Sequence, residues 1–292
     1  MDTVRFAATV SYDGANFSGS QRQPNGRTVQ EVLENAAKAL FGAPVRVDFA
    51  GRTDAGVHAK GQVVALSAET ALDATTVGRA LNAHLPAEVA VRDVRPVPEG
   101  FDPRRWARSR WYRYTVWDDS VRAPLLRRTA WHVGSALSLT AMNAAAEALC
   151  GEHDFQSCTT ALEPGKTSVR TVFRAGWERH GALLLFDIEA NAFLQQMVRR
   201  LTGGLVEVGR GRLTTDDFVR LLSRATAGSI GPTAPPHGLC LERVEYHEGY
   251  VHDHDAADQS FTNRERLARH RRRRPATGPG SDRGGYAPAR EA

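Results

Sequence analysis

No apolar run in this 292-residue sequence approaches the roughly 18 residues that a membrane-spanning helix needs, so no membrane partner is expected. The opening residues, MDTVRFAATV, lack a charged segment followed by an apolar one, and no signal peptide is expected. Cysteine is scarce. Cys150, Cys158 and Cys240 are too few and too scattered for a disulfide framework or a zinc knuckle, which suits a reducing, cytoplasmic setting. There is no phosphate-binding glycine loop, no dinucleotide glycine pattern and no Cys/His cluster. His132, His153 and Asp154 lack metal-ligand spacing, so no metal site is expected.

A strongly charged body is missing too, although the formal charge of +5 suggests otherwise. From Gln259 to Ala292 nine arginines face three acids, a net of +6, which leaves residues 1 to 258 at −1. A nucleic-acid partner for the body therefore has to rest on a local basic surface, not on bulk charge. What is present is ordinary for a globular protein: 41% hydrophobic and 24% charged residues, enough chain for one large domain or two smaller ones.

Residues 4–12 alternate, with Phe6, Ala8, Val10 and Tyr12 on one face, which predicts a strand that Asp13-Gly14 breaks. Thr28 and Glu31 have capping-box spacing at the head of a helix over 28–40. Its stripe is Val29, Val32, Leu33, Ala36 and Leu40, and Gly42 is its stop. Strands over 45–49 and 62–66 follow. The pattern then begins again, with a strand over 111–117, an Ala-rich helix over 140–150 stopped by Gly151, and a strand over 182–189. A helix over 193–208 carries Leu194, Val198, Leu201, Leu205 and Val208 on one face. Thr214 or Thr215 caps a last helix through Ser223, with Asp216 and Asp217 at its positive end. Two α/β halves result, 1–105 and 106–250, alike in element order but without a sequence repeat. Residues 251–292, with RHRRRR at 269–274, read as a basic disordered tail.

The stretch FAGRTDAGVHAKGQ, residues 49–62, holds one carboxylate, Asp54, between Gly51 and Gly56. Such a loop is commonly only a turn, because glycine accepts positive φ and Asp caps its own backbone. Alternatively a strand end presents Asp54 into a cleft, kept ionised by Arg52 or another arginine and able to act as nucleophile or base. His58 sits in the same stretch; a structural role, contacting backbone or RNA, is favoured for it over that of a general base. Arg104, Arg105, Arg108, Arg110 and Arg113 crowd a segment with Trp106, Trp111 and Tyr112. Arginines interleaved with aromatics suit RNA contact; arginines on an exposed strand face are the plain alternative.

GRTDAGVHA resembles the signature of the tRNA pseudouridine synthase A family. YDGANFSGSQRQ at 12–23, RTVQEVLE at 27–34, RWYRY at 110–114, DFQSC at 154–158, NAFLQQMVRRLTG at 191–203 and GLCLERVEY at 238–246 resemble further blocks of it, in order, over roughly residues 4–247. The resemblance implies two pseudo-symmetric α/β halves with mixed or antiparallel sheets, joined across a central active-site cleft with helices on the outer faces. It implies a cofactor-free, metal-free homodimer that turns uridine into pseudouridine in the anticodon stem-loop of tRNA, at about positions 38–40. It makes Asp54 the attacking aspartate and Tyr112 the tyrosine that meets the flipped uracil. Arg52 becomes part of the catalytic loop and Arg199 the partner of the acid. Arg110, Arg113 and His58 are carried along as RNA contacts.

The chain departs from the family at Ser20, where an aromatic residue is usual, at Trp106, where a smaller one is, and at Cys158, where an aromatic is common. Whether the acid adds to C6 or C1′, or removes the C2′ proton, is open from sequence. A catalytically inactive tRNA-binding module is the alternative; it would have no use for a buried acid near phosphates. A hydrolase built on Asp54 and His58 would want a second carboxylate or a metal, which the loop does not offer.

Overall fold

The computed structural model describes residues 2–162, 165–224 and 226–247; the basic tail lies outside them. One mixed sheet of ten strands runs through both sequence halves. The first half supplies β1 (Thr3–Tyr12), β2 (Val47–Phe49), β3 (His58–Glu69) and β4 (Val89–Pro96). The second supplies β5 (Ala107–Trp117), β6 (Trp131–His132), β7 (Gly151–Asp154), β8 (Val169–His180), β9 (Leu183–Ala190) and β10 (Leu239–Tyr246). The order is β4-β1-β3-β10-β5-β9-β8-β7, with β2 added to β3 and β6 to β5. Among the described strands, only β3–β10 and β5–β6 pair in parallel.

The halves meet at β10. Its Cys240 and Leu241 pair with His58 and Ala59 of β3, and its other edge runs antiparallel to β5. This seam positions the loop over 50–57, which ends where β3 begins, next to the strands of the second half.

The first helix is α1 (Val29–Phe41). The Thr28 side chain accepts the Glu31 N–H at its start, and Gly42 ends it in the left-handed region at φ 73°. Val29, Leu33, Ala36 and Ala37 form its buried face. α5 (Thr215–Leu222) opens on a complete capping box between Thr214 and Asp217. α2 (Ala74–His84), capped by Asp73, was not expected from the sequence.

Two helices start or stop away from their predicted ends. α3 (Leu139–Glu147) is capped by Ser138 and closes before 150, because the chain must reach Gly151, at φ 106°, to open β7. α4 (Met197–Gly209) starts four residues later than the apolar pattern suggests. Gln196, at φ 61°, stands at its N-cap and breaks the helical run. Phe193 is thereby freed from the helix and meets Tyr112 edge-on, with ring centroids 5.1 Å apart.

α4 is buried along most of its surface, as a helix at the centre of a core must be. Its glycines let the chain 230–234 lie directly on it. A Cβ on Gly203 would stand 1.8 Å from the Pro232 carbonyl oxygen, and one on Gly204 2.6 Å from that of Ile230. The close approach brings the Ala234 N–H to the Arg199 carbonyl at 3.1 Å. Gly203→Ala has to lift this segment off the helix and is expected to cost about 3 kcal/mol or more. Urea unfolding reads this as a lower midpoint; an unchanged midpoint would show that the segment yields freely.

Candidate active site

The loop over 50–57 is fastened at most of its residues, largely from separate parts of the first half. Gln62 donates to the Gly51 carbonyl at 2.8 Å. The Tyr12 and Thr53 hydroxyls share a buried hydrogen bond of 2.8 Å. Burial pushes the Tyr12 phenol up to about 12, so it stays protonated and can keep this bond through the ordinary pH range. Ser20 Oγ accepts the Thr53 N–H at 2.8 Å, and the Ser20 N–H donates to the Thr53 carbonyl at 3.1 Å. Val57 N–H closes a turn onto the Asp54 carbonyl at 3.2 Å, with Gly56 at φ 79°, while Gly56 N–H donates to Phe17 O at 3.2 Å. Gly56 does build the turn that a plain reading expects, and the turn presents a carboxylate.

That carboxylate meets the second half. Arg199, on α4, donates through Nη1 to Asp54 Oδ2 at 3.0 Å. Its Nε donates to the Ala234 carbonyl at 2.8 Å, so the guanidinium is fixed between the acid and the chain that crosses α4. Arg199 is 14% and Asp54 25% exposed at the side chain, an ion pair sheltered on one side and open on the other. Of the two arginines considered for pairing with Asp54, the structure selects Arg199.

Tyr112, on β5, is nearly buried on the same side of the sheet. Burial, with the nearby Tyr12 and the Asp54 charge adding to it, raises its phenol well above the ordinary tyrosine range. Its hydroxyl has no hydrogen-bond partner among the described residues. Arg52 is exposed and lines a cleft of about 260 Å³ with Arg5, Arg46, Asp48 and Arg104. Arg5 and Arg46 both pair with Asp48, at 3.0 and 3.3 Å. Among the described residues, the Arg52 and Arg104 guanidiniums on the rim have no ion-pair partner.

Other expected contacts are placed elsewhere. Arg110 is 8% exposed and donates to the carbonyls of Ala50, Arg104, Ala107 and Asn191, at 2.9, 2.7, 3.4 and 2.7 Å. It braces the chain on either side of the site instead of reaching out to a phosphate. Arg113 points to the opposite sheet face from Tyr112, as odd spacing along a strand requires. There it forms a two-bond fork with Asp187, 2.8 Å in each bond, and lies over Trp111. His58 is buried: Nδ1 accepts the Gly14 N–H at 3.1 Å and Nε2 donates to the Arg128 carbonyl at 2.8 Å. Tyr12, Ser20, Gln62 and Phe193 support the site without having been singled out for it.

Among the described residues, no three or more His, Cys, Asp or Glu gather as a metal cage, and no helix is long and apolar enough to cross a membrane.

The sequence profile of the family described as tRNA pseudouridine synthase matches residues 8–104 and 145–247. The chain is 43% identical over 237 residues to a protein of Geobacter sulfurreducens named tRNA pseudouridine synthase A, covering 81% of this chain and 97% of that one. A protein of the same name from Myxococcus xanthus is 44% identical over 246 residues, covering 84% and 93%. One from Chloroflexus aurantiacus is 43% identical over 254 residues, covering 84% and 90%. Among solved structures, "Crystal Structure of a Cbf5-Nop10-Gar1 Complex" is similar at a TM-score of 0.32 and 11% identity, over 80% of this chain and 57% of that one, too slight a likeness to bear on the site.

Proposed function

The chain belongs to the tRNA pseudouridine synthase family, and from that premise we propose that it isomerises uridine to pseudouridine in the anticodon stem-loop of tRNA, about positions 38–40, with Asp54 as the attacking group. The observation that carries the reading is the Asp54–Arg199 pair at 3.0 Å, at the seam between the halves and beside a buried tyrosine.

The chemistry asks for little more. The N1–C1′ bond breaks and a C5–C1′ bond forms; C5 loses its proton and N1 gains one. Nothing is oxidised and no group is imported, so one carboxylate and a proton carrier suffice. Arg199 keeps the carboxylate aimed through the 3.0 Å bond. The target base must first leave the stack, at a cost of a few kcal/mol that stacking and phosphate contacts repay. Tyr112, backed by Phe193, offers a face for the flipped uracil. Arg52 and Arg104, without ion-pair partners among the described residues, offer guanidiniums for the strand that carries it.

The Tyr112 hydroxyl is itself informative. No described residue holds this phenol by a hydrogen bond, so the fold does not depend on it, and phenylalanine would keep the ring's packing against Phe193. Tyr112→Phe is therefore expected to fold at least as stably as the parent and to bind tRNA. If the phenol moves the C5 proton, turnover falls about 100-fold or more. A variant that keeps the parent's rate would reduce Tyr112 to a stacking surface.

A homodimer and a cytoplasmic setting belong to this reading, the latter supported by three unpaired cysteines. The reaction is tested by tritium release from tRNA labelled at uridine C5, with purified protein and no added metal or nucleotide. Release at catalytic protein concentrations supports the reading; none, with tRNA bound, favours a binding module.

A further inference from the structure

Ser20 occupies a position where the resembled family usually carries an aromatic residue, yet it is 1% exposed and tied into the candidate site. Its hydroxyl accepts the Thr53 N–H at 2.8 Å and its own N–H donates to the Thr53 carbonyl at 3.1 Å. The two bonds clasp the residue directly before Asp54. The clasp is anchored behind: the Gln30 N–H donates to the Ser20 carbonyl at 2.9 Å and the Val29 N–H to that of Gly19 at 3.3 Å. These are free N–H groups of the first turn of α1, which need acceptors in any case. Gly19, at φ 97°, lets the segment lie flat on the loop, since a Cβ there would stand 3.0 Å from the Thr53 carbonyl oxygen.

We infer that Ser20 is a positioning residue for Asp54, its hydroxyl fixing the peptide from which the carboxylate projects. The inference rests on the proposed role of Asp54. Arg199 holds the carboxylate from the side of α4; Ser20 holds its backbone from the side of α1. The backbone half of the clasp survives any substitution at 20 except proline, which has no N–H to donate. The other half needs a side-chain acceptor, which an apolar residue lacks. The buried Thr53 N–H would then recover a partner only by tilting the loop, and Asp54 would tilt with it.

Ser20→Ala is the test, with Ser157→Ala as control. Ser157 also donates a buried hydrogen bond, to the Leu222 carbonyl at 3.2 Å, but far along the chain from the loop. Ser20→Ala is expected to slow single-turnover conversion about 10- to 100-fold with tRNA affinity within about two-fold of the parent. The Thr53 amide should exchange its hydrogen about ten times faster or more. Ser157→Ala is expected to convert at the parent rate. Conversion by Ser20→Ala at the parent rate, or slowed no more than by Ser157→Ala, overturns the inference. Should Ser20→Ala fail to fold, Ser20→Thr and Ser20→Val add equal bulk and differ in the hydroxyl: conversion about ten-fold faster in Thr upholds it, and equal rates overturn it. If the parent protein makes no pseudouridine, the proposed function fails first. Thr53 exchange then decides on the clasp alone, and an exchange rate unchanged by Ser20→Ala overturns it.

Discussion

Asp54→Asn is expected to bind tRNA as the parent does and to convert none of it on the parent's timescale, a loss of about 10⁴-fold or more. The substitution keeps the shape of the side chain and removes its charge. The loop should stand unchanged, because its fastenings run through Gly51, Thr53, Gly56 and Val57 and not through the carboxylate. Asp54 Oδ2 faces Arg199 across a half-open space, so an amide there still fits. What disappears is the negative charge that makes the side-chain oxygen a nucleophile. Single-turnover tritium release and filter binding on the same preparation separate the two effects. Conversion within ten-fold of the parent would remove Asp54 from the mechanism.

Arg199→Ala is expected to lower conversion by about 100- to 1,000-fold, the scale on which a preorganised charge partner acts. The guanidinium serves two clients at once, Asp54 at 3.0 Å and the Ala234 carbonyl at 2.8 Å. Its loss leaves the acid unaimed and the carbonyl without a partner, and the latter should cost about 1–3 kcal/mol of stability. Arg199→Lys restores charge but not the fork, and should recover only part of the rate. The double variant Asp54→Asn/Arg199→Ala should be no slower than Asp54→Asn alone, because the arginine acts through the acid. Additive losses would mean that Arg199 acts on the RNA directly.

The sequence reading is strongest where local chemistry decides structure. Thr28 and Gly42 give α1 its ends; the cap and the left-handed stop are present, with only the Thr28 half of the expected capping box formed among the described residues. Local chemistry left Asp54 between a plain turn and a presented acid; the family resemblance, and not the residues around it, matched Arg199 to it across 145 positions. Reading weakens where tertiary packing overrides propensity. α2 contains two threonines and a glycine, poor helix formers that hid it; its Asp73 cap was the available signal. β8 is rich in arginine and has a bulge between Val172 and Arg174, which spoils its alternation. The late start of α4 depends on one residue, Gln196, in a backbone region that glutamine rarely enters. Arg110 and Arg113 looked alike in sequence. Their odd spacing places them on opposite sheet faces, and only packing reveals that one is a buried brace and the other an ion-pair partner. Ser20 looked like a blemish in a familiar pattern, because a hydrogen bond to a residue 33 positions away leaves no local trace.

The account turns on Asp54 attacking a uridine in the anticodon arm, and base-by-base mapping of pseudouridine tests that most directly. Unmodified tRNA would be incubated with the parent protein and with Asp54→Asn. Pseudouridine confined to the anticodon arm in the first and absent from the second is the expected result. Product outside that arm, or equal product from both proteins, would contradict it.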